Sequence, residues 1–178
     1  MRKTIVINLF GGPGTAKSIF CALIFAKLKL EGINCEMARE YAKDEVWAGS
    51  EHLLENQQGV YGEQQKRLYV LDGKVAVAVT DAPLMNSIIY DKLGKSQGID
   101  FQRSVKNEFD RYDNRNYVLK RVMGYEREGR TQDEDGAKNV DKMVIDTLNE
   151  MGVTYKEFPA YPENADVIAR EILLELKR

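Results

Sequence analysis

The sequence is poor in cysteine, histidine and proline, and each shortage excludes a class of protein. Its 178 residues include two Cys, one His and four Pro. Two Cys and one His come close to excluding a zinc site built from those ligands. So little proline, in a chain that is 43% hydrophobic, excludes collagen-like and low-complexity proteins. Cys21 and Cys35 are expected to be buried free thiols in a reducing cytosol, with a disulfide as the alternative.

Long apolar runs and a strong charge of one sign are also missing. The longest apolar run, residues 19–26, is well short of the roughly 20 residues of a membrane span. Arg2 and Lys3 precede an apolar segment, as in signal peptides, but no small-residue cleavage site follows, and the segment is interpreted as a strand. A net charge of −2 argues against a protein that coats a polyanion. We therefore expect a cytoplasmic protein without a membrane partner.

The chain alternates between strand-like and helix-like segments. Strands are expected at residues 4–10, 34–38, 75–80, 116–122 and 153–159. Helices are expected at residues 17–31, about 50–73, 85–92, 100–112, 133–151 and 164–177. This alternation predicts an α/β fold with a parallel sheet and right-handed crossovers, with ligands at the carboxyl ends of the strands. The length of 178 residues and the lack of a linker indicate one domain over residues 1–178.

A glycine-rich loop lies between the first strand and the first helix. It consists of Gly11, Gly12, Pro13, Gly14, Thr15, Ala16, Lys17 and Ser18. It resembles the Walker A loop, whose backbone N–H groups cradle phosphates, so it predicts ATP binding. Lys17 would reach the β- and γ-phosphates, and the Ser18 hydroxyl would ligate Mg²⁺. Ala16 replaces the usual last glycine, which is tolerable if its φ is negative.

Two carboxylates follow the second and third strands. Asp81, at the tip of the third strand, is predicted to hold Mg²⁺ or to contact the reacting hydroxyl, the alternative being a cap of the next helix. Glu40, after the second strand, is predicted to accept the proton of an attacking hydroxyl or to bind substrate hydroxyls. Its alternative is a surface ion pair with Arg39 or Lys43.

Together these motifs resemble a known family. The loop at 11–18, the Glu40-Tyr41-Ala42 turn and the segments 80–84, 112–116 and 129–132 are similar to small P-loop kinase-like proteins of tailed bacteriophages. They are also similar to nicotinamide-riboside kinase domains and, more distantly, to nucleoside and nucleoside monophosphate kinases. The resemblance implies a P-loop NTPase fold, with five parallel strands between two helical layers. It also implies phosphoryl transfer from Mg²⁺-ATP to a nucleoside, nucleotide or modified base. Family members commonly have Gly where this chain has Ala16.

Residues 111–130 form a basic segment. Six basic and three acidic residues give it a charge of +3, so the rest of the chain carries −5. In monophosphate kinases a mobile lid has this place and composition, and we expect one over about 122–136. Arg121, Arg127 and Arg130 are predicted catalytic residues that neutralise the transferring phosphoryl group, since lid arginines act in this way. The alternative is a solvated loop with surface arginines.

Several polar residues are candidates for binding the phosphoryl acceptor. Gln58 and Gln65 belong to a polar helix, and amide side chains can pair with nucleobase edges. Glu40, Tyr41 and Asn114 complete the predicted substrate-binding set. The alternatives are an exposed polar helix face for the glutamines and turn formation for Asn114.

The function expected is ATP-dependent phosphoryl transfer to a nucleoside, nucleoside monophosphate or related small nucleotide. Three alternatives are a kinase acting on hydroxymethyluracil in phage DNA, an ATPase, and a nucleotide-binding module without an acceptor. An isoelectric point of about 5.6 does not favour a nucleic-acid partner. If the chain is phage-encoded, it acts in the host cytoplasm. The sequence leaves monomer and homodimer open.

Overall fold

The structure is a computed structural model that describes residues 3–94, 96–122 and 133–177. Its strands are β1 Ile5–Phe10, β2 Cys35–Ala38, β3 Val77–Thr80, β4 Asp113–Lys120 and β5 Lys156–Pro159. Its α-helices are α1 Lys17–Leu30, α2 Tyr41–Ala48, α3 Gln57–Tyr69, α4 Asn86–Leu93, α5 Ile99–Phe109, α6 Glu134–Glu150 and α7 Glu163–Leu176. No helix within the described ranges combines the length and the apolar character needed to cross a bilayer.

All five strands pair in parallel, in the order β2-β3-β1-β4-β5. Side chains alternate across β1, because successive residues of a strand point to opposite faces. Ile7 enters the core cluster shared with α1 and α7, whereas Val6 and Phe10 enter the cluster shared with α4, α5 and α6. Every residue of β1 is buried, as expected of a central parallel strand covered on both faces. The predicted α/β fold with five parallel strands is confirmed.

The strand order determines where ligands can bind. From β1 the chain runs through α1 to β2, on one side of the sheet, and from β3 it crosses to β4 on the other side. Such a change of direction opens a crevice at the carboxyl ends of the adjacent strands. The segments that follow β1, β2 and β3 therefore meet at one edge of the sheet. These are the segments that carry the predicted phosphate loop and the two predicted carboxylates.

The prediction of a single helix over about 50–73 is wrong, because the helical structure is interrupted within that range. A 3₁₀ helix spans Glu51–Glu55, and α3 begins only after Asn56. The Asn56 side chain accepts a hydrogen bond from the Gly59 backbone N–H, so Asn56 rather than Ser50 is the N-cap. Helix α2 was not predicted from the sequence. None of its residues is buried, so it lacks the apolar stripe by which amphipathic helices are recognised.

Other boundaries differ by a few residues, as is usual for element ends. Residues 113–115, which were expected to precede the fourth strand, belong to the first half of β4, while β5 begins three residues later than expected. Most of the predicted lid, residues 123–132, lies outside the described residues. Its last residues, 134–136, form the first turn of α6, which Asp133 caps by accepting a hydrogen bond from the Gly136 N–H.

Helix α1 offers a matched pair of leucines for testing the core. Leu28 is fully buried, whereas Leu30 in the last turn is 87% exposed. Leu28→Ala should lower the free energy of unfolding by about 2–5 kcal/mol, because it removes packed apolar volume. Leu30→Ala should change it by less than about 0.5 kcal/mol. Urea denaturation measures both, and equal effects would contradict the described orientation of α1.

Candidate functional site

The glycine-rich loop connects the end of β1 to the start of α1. Gly11 has φ of +144°, and a Cβ on it would lie 2.5 Å from the Thr15 Oγ1 atom, so a larger residue would clash there. The Thr15 hydroxyl is buried and donates to the Gly12 carbonyl at 2.9 Å, closing the turn from inside. The loop thus lies at the N-terminus of α1, where unpaired N–H groups and the helix dipole favour a bound anion.

Ala16 adopts a left-handed backbone conformation, with φ of 60° and ψ of 18°. The expectation that a negative φ would accommodate this alanine is therefore wrong. Ala16 is the one non-glycine residue with positive φ in the part of the chain that the structure describes. The turn into α1 imposes this conformation, which a glycine adopts without cost to its side chain. The Ala16 methyl packs against the core cluster of α1 and α7, which offsets part of the strain.

The Lys17 ammonium group folds back over the loop. Its Nζ atom donates to the Gly11 carbonyl at 2.7 Å and to the Gly12 carbonyl at 2.9 Å. Burial lowers the pKa of Lys17, while the carboxylates of Glu40, Asp81 and Asp141 oppose that shift. An ammonium group held in this way can exchange the loop carbonyls for phosphate oxygens, which are charged and therefore stronger hydrogen-bond acceptors.

Asp81 connects the ends of β2 and β3. The carboxylate is buried, and its Oδ1 atom accepts a hydrogen bond from the Glu40 backbone N–H at 3.1 Å. Thr80 adds a second link, since its hydroxyl donates to the Ala38 carbonyl at 2.8 Å. The alternative role for Asp81, as cap of the next helix, is not observed, because α4 has Met85 at its N-cap and no side-chain cap bond.

Glu40 lies partly buried at the same edge. Burial raises the pKa of the Glu40 carboxyl, the nearby Lys17 ammonium lowers it, and the Asp81 carboxylate raises it further. The alternative of a surface ion pair with Arg39 or Lys43 is not observed among the described residues. The Arg39 Nη2 atom lies 3.7 Å from Asp44 Oδ1 instead, and Lys43 lowers the pKa of Glu40 less than Lys17 does. A carboxyl with a raised pKa in a crevice beside a cation is typical of functional sites.

Gln64, which was not among the predicted site residues, holds the backbone around Glu40. Its side-chain Oε1 atom accepts from the Tyr41 N–H at 3.0 Å, and its Nε2 atom donates to the Arg39 carbonyl at 3.3 Å. Gln64 is buried, on the same face of α3 as Leu68. That i, i+4 spacing from a core leucine was the available sequence signal. Together with Asp81, Gln64 binds two successive peptide groups, those on either side of Glu40.

Arg67, one turn further along α3, adds a second attachment for α2. Its Nη1 atom donates to the Arg39 carbonyl at 3.2 Å, and its Nη2 atom pairs with Asp44 at 2.7 Å. The guanidinium also lies 5.6 Å from the centre of the Tyr41 ring. Tyr41, a predicted substrate-binding residue, therefore lies beside Glu40, with its ring against a cation.

The predicted metal ligands fit a magnesium ion. Mg²⁺ prefers oxygen ligands, and it is commonly held by one or two protein groups with phosphates and water. The Ser18 hydroxyl is exposed at the start of α1, and the Asp81 carboxylate follows the adjacent strand β3. No cluster of three or more His, Cys, Asp or Glu side chains suited to a metal occurs within the described ranges. Phosphate oxygens and water would therefore complete the coordination.

Three predicted substrate-binding residues are not brought to this edge by any contact described. Gln58 is exposed and Gln65 half-buried on α3, and it is the neighbouring Gln64 that reaches the Glu40 turn. Asn114 pairs with Val6 near the amino end of β1, away from the loop. Its amide donates to the Phe109 carbonyl and accepts from Asn8, so its placement favours packing over substrate binding.

Arg121 reaches the loop, whereas Arg127 and Arg130 lie outside the described residues. The Nη2 atom of Arg121 donates to the Pro13 carbonyl at 2.8 Å and to Asp141 Oδ2 at 2.9 Å. Asp141, on α6, also accepts from the Gly12 N–H at 2.6 Å. Asp141 was not predicted, and no sequence signal marks it, because only the packing of α6 places it beside a loop 129 residues earlier.

The Gln64 contacts generate a stability prediction with a matched control. Gln64→Met keeps the side-chain length but removes both hydrogen bonds. The Tyr41 N–H then loses its partner, while the Arg39 carbonyl keeps only its bond from Arg67. The free energy of unfolding should fall by about 1–3 kcal/mol. The Tyr41 amide should exchange faster with solvent, because its acceptor is removed. Gln65→Met, at the adjacent position, should change stability by less than about 0.5 kcal/mol. Urea denaturation and hydrogen exchange measure these effects, and unchanged exchange at Tyr41 would contradict the assigned role.

Comparisons with known proteins agree with this geometry. A family model described as "AAA domain" matches residues 6–165, which include the glycine-rich loop, both carboxylates and Asp141. A comparison with curated proteins finds no match. The glycine-rich loop at Gly11–Ser18 between a strand and a helix, the parallel sheet and this family match together indicate a nucleotide-binding P-loop NTPase. The chain belongs to the AAA domain family.

Proposed function

We propose that the protein is a P-loop kinase that transfers the γ-phosphoryl group of ATP to a hydroxyl of a nucleoside, nucleoside monophosphate or related small nucleotide. The observation that carries this proposal is the Glu40 carboxyl, which sits beside Lys17 and Asp81 with a raised pKa. Nucleotide binding alone does not need such a carboxyl. Transfer to an acceptor does need it, because a carboxylate can orient the acceptor hydroxyl and take its proton.

Lys17 and the loop supply the donor side of the reaction. Loop N–H groups and the Lys17 ammonium would bind the β- and γ-phosphates, and catalysis would consist largely of positioning and charge neutralisation. Ser18 and Asp81 would hold Mg²⁺, which neutralises phosphate charge when bound. Lys17 would exchange its carbonyl partners in the loop for phosphate oxygens, at little cost, since it is already desolvated.

Glu40 supplies the acceptor side. The Asp81 carboxylate and Gln64 fix the backbone on either side of Glu40, so its carboxyl is held in place. An acceptor hydroxyl that donates to this carboxylate would present its oxygen to the γ-phosphoryl group near Lys17. Tyr41 and the exposed part of α2 adjoin the same crevice, and they would contact the rest of the acceptor. The resemblance of the Glu40-Tyr41-Ala42 turn and segment 80–84 to small P-loop kinases supports this assignment.

Arg121 would act from its contact with Pro13 in the loop. A guanidinium there is suited to stabilise charge that develops on the transferring group. Arg127 and Arg130 remain predicted to assist it. None of the described contacts favours an acceptor-free ATPase, a DNA base or simple nucleotide storage over a small acceptor. Those alternatives are therefore outcomes of the test.

The proposal predicts that activity depends on an acceptor and on Glu40. Glu40→Gln should lower acceptor-dependent ADP formation by about 100-fold or more while leaving ATP affinity within about threefold of the original. Lys17→Ala should abolish both turnover and tight ATP binding. Glu36→Gln, on the exposed face of β2, is the control and should retain full activity. ADP release is followed with Mg²⁺-ATP and a panel of nucleosides, nucleotides, nicotinamide riboside and hydroxymethyluracil DNA.

Each result on this panel has a defined meaning. Phosphorylation of a small acceptor supports the kinase and identifies its substrate. ADP release that is the same with and without acceptors would contradict the proposal in favour of an ATPase, and phosphorylation of DNA alone would favour a DNA kinase. ATP binding without any turnover would indicate a nucleotide-binding module.

The Glu40 environment also predicts a pH profile. Glu40 must be ionised to accept a proton, and burial raises its pKa, so kcat/KM should fall at a higher pH than for an ordinary exposed glutamate as the solution is acidified. Lys17 must be protonated, and burial lowers its pKa, so kcat/KM should fall on the alkaline side below the pH at which an exposed lysine titrates. The residual activity of Glu40→Gln provides the reference, since any acid limb that persists there belongs to ATP or the acceptor. An acid limb identical in both proteins would exclude Glu40 as the base.

A further inference from the structure

Helix α6 contacts the glycine-rich loop through one carboxylate. The Oδ1 atom of Asp141 accepts a hydrogen bond from the Gly12 N–H at 2.6 Å, a short distance of the kind seen when the acceptor is charged. Asp141 lies one helical turn from Ala137 and Val144, which are buried, so it belongs to the face of α6 that packs inward. Packing in the core therefore holds α6 in place, and the hydrogen bond to Asp141 holds the loop against α6.

The other oxygen of the same carboxylate binds Arg121. Asp141 Oδ2 accepts from Arg121 Nε at 3.1 Å and from Nη2 at 2.9 Å, and the same Nη2 donates to the Pro13 carbonyl at 2.8 Å. Gly12, Asp141, Arg121 and Pro13 thus form a closed ring of hydrogen bonds, which we call the loop clasp. The Arg121 and Asp141 side chains are 14% and 29% exposed, so solvent weakens this pair less than a surface pair.

The fit at Gly12 shows how close this contact is. A Cβ atom on Gly12 would lie 2.5 Å from the Ala137 carbonyl and 2.5 Å from Asp141 Oδ1. Any side chain at this position would push α6 off the loop or break the contact with Asp141. The glycine at position 12 is therefore required by the packing of α6, which is a separate constraint from the left-handed turns elsewhere in the loop.

We propose that Asp141 is a positioning residue for ATP binding, which holds the Gly12–Pro13 backbone and aligns Arg121 through the loop clasp. The proposal rests on the nucleotide-binding part of the proposed function, and it does not depend on the identity of the acceptor. Phosphate binding by a P-loop requires that its N–H groups converge on one point. The clasp fixes the start of the loop, and the Lys17 side chain links the end of the loop to that start by donating to the Gly11 and Gly12 carbonyls.

The charges of the clasp extend to Lys17. Asp141 stabilises the charged form of Lys17, and Arg121 destabilises it, so the two effects oppose one another while both are present. Neutralising Asp141 alone would leave the Arg121 charge unbalanced near Lys17. The ammonium group that binds phosphate would then be less favoured, in addition to the loss of alignment at Arg121.

A set of single and double variants tests the clasp by equilibrium binding of ATP. Asp141→Asn keeps an acceptor for the Gly12 N–H but loses the charged pair with Arg121, and it should weaken ATP binding about tenfold. Arg121→Gln should weaken it by a similar factor. The double variant should be weakened by about 10- to 30-fold rather than the roughly 100-fold of independent sites, because both changes break the same clasp. Asp146→Asn, exposed on the same helix, is the matched control and should bind ATP normally.

Thermal unfolding in the absence of ATP separates positioning from general stability. Each variant is assayed for binding well below its own Tm, and the ratio of KM for ATP to kcat is recorded where turnover is measurable. Asp141→Asn that binds ATP as Asp146→Asn does would overturn the proposal, as would fully additive effects in the double variant. ATP binding that depends on Asp141, without phosphorylation of any acceptor, would support the clasp and refute the kinase. Failure of the unmodified protein to bind ATP would overturn both.

Discussion

The partial burial of one ammonium group, that of Lys17, is the constraint on which the rest of this site depends. A buried cation is costly unless it is paired and hydrogen-bonded. Two loop carbonyls accept from Lys17, and the carboxylates of Glu40 and Asp81 favour its charged form. These groups follow three different strands, so only a sheet in which β1, β2 and β3 are parallel neighbours can bring them together. The same arrangement leaves the cation accessible to phosphate, for which it is electrostatically suited.

Side chains hold the backbone of this site at its critical points. The Glu40 N–H is bound by Asp81, the Tyr41 N–H by Gln64, and the Gly12 N–H by Asp141. In each case a buried or half-buried acceptor, on a helix or directly after a strand, fixes a turn that would otherwise be free to move. Functional loops are commonly positioned by a rigid scaffold in this way. The loop and the Glu40 turn are thus held independently, which lets their contributions to ATP and acceptor binding be separated.

The accuracy of the sequence-based predictions varied with the physical signal that each element carries. Helices α1 and α6 were predicted almost to the residue, since the glycine loop marks the start of α1 and Asp133 caps α6. Helix α2 was not predicted, because it buries no residue and has no apolar periodicity. The glutamines of α3 were assigned to substrate, but the helix break at Asn56 and the burial of Gln64 show which face packs on the Glu40 turn. The sequence shows which residues share a face of a helix, but not which of those faces packs against the rest of the protein.

The sequence by itself determined the strand–loop–helix of Gly11–Ser18, the alternation that makes a parallel sheet, and the placement of Asp81 and Glu40 at strand ends. These features depend on local properties, namely backbone dihedral preferences, side-chain periodicity and chain order. Only the tertiary structure decided the left-handed conformation of Ala16, the raised pKa of Glu40, and the contacts of Gln64 and Asp141. Each of these depends on burial or on a short distance between residues remote in sequence. Electrostatic and hydrogen-bond energies vary steeply with such distances, and packing alone sets them.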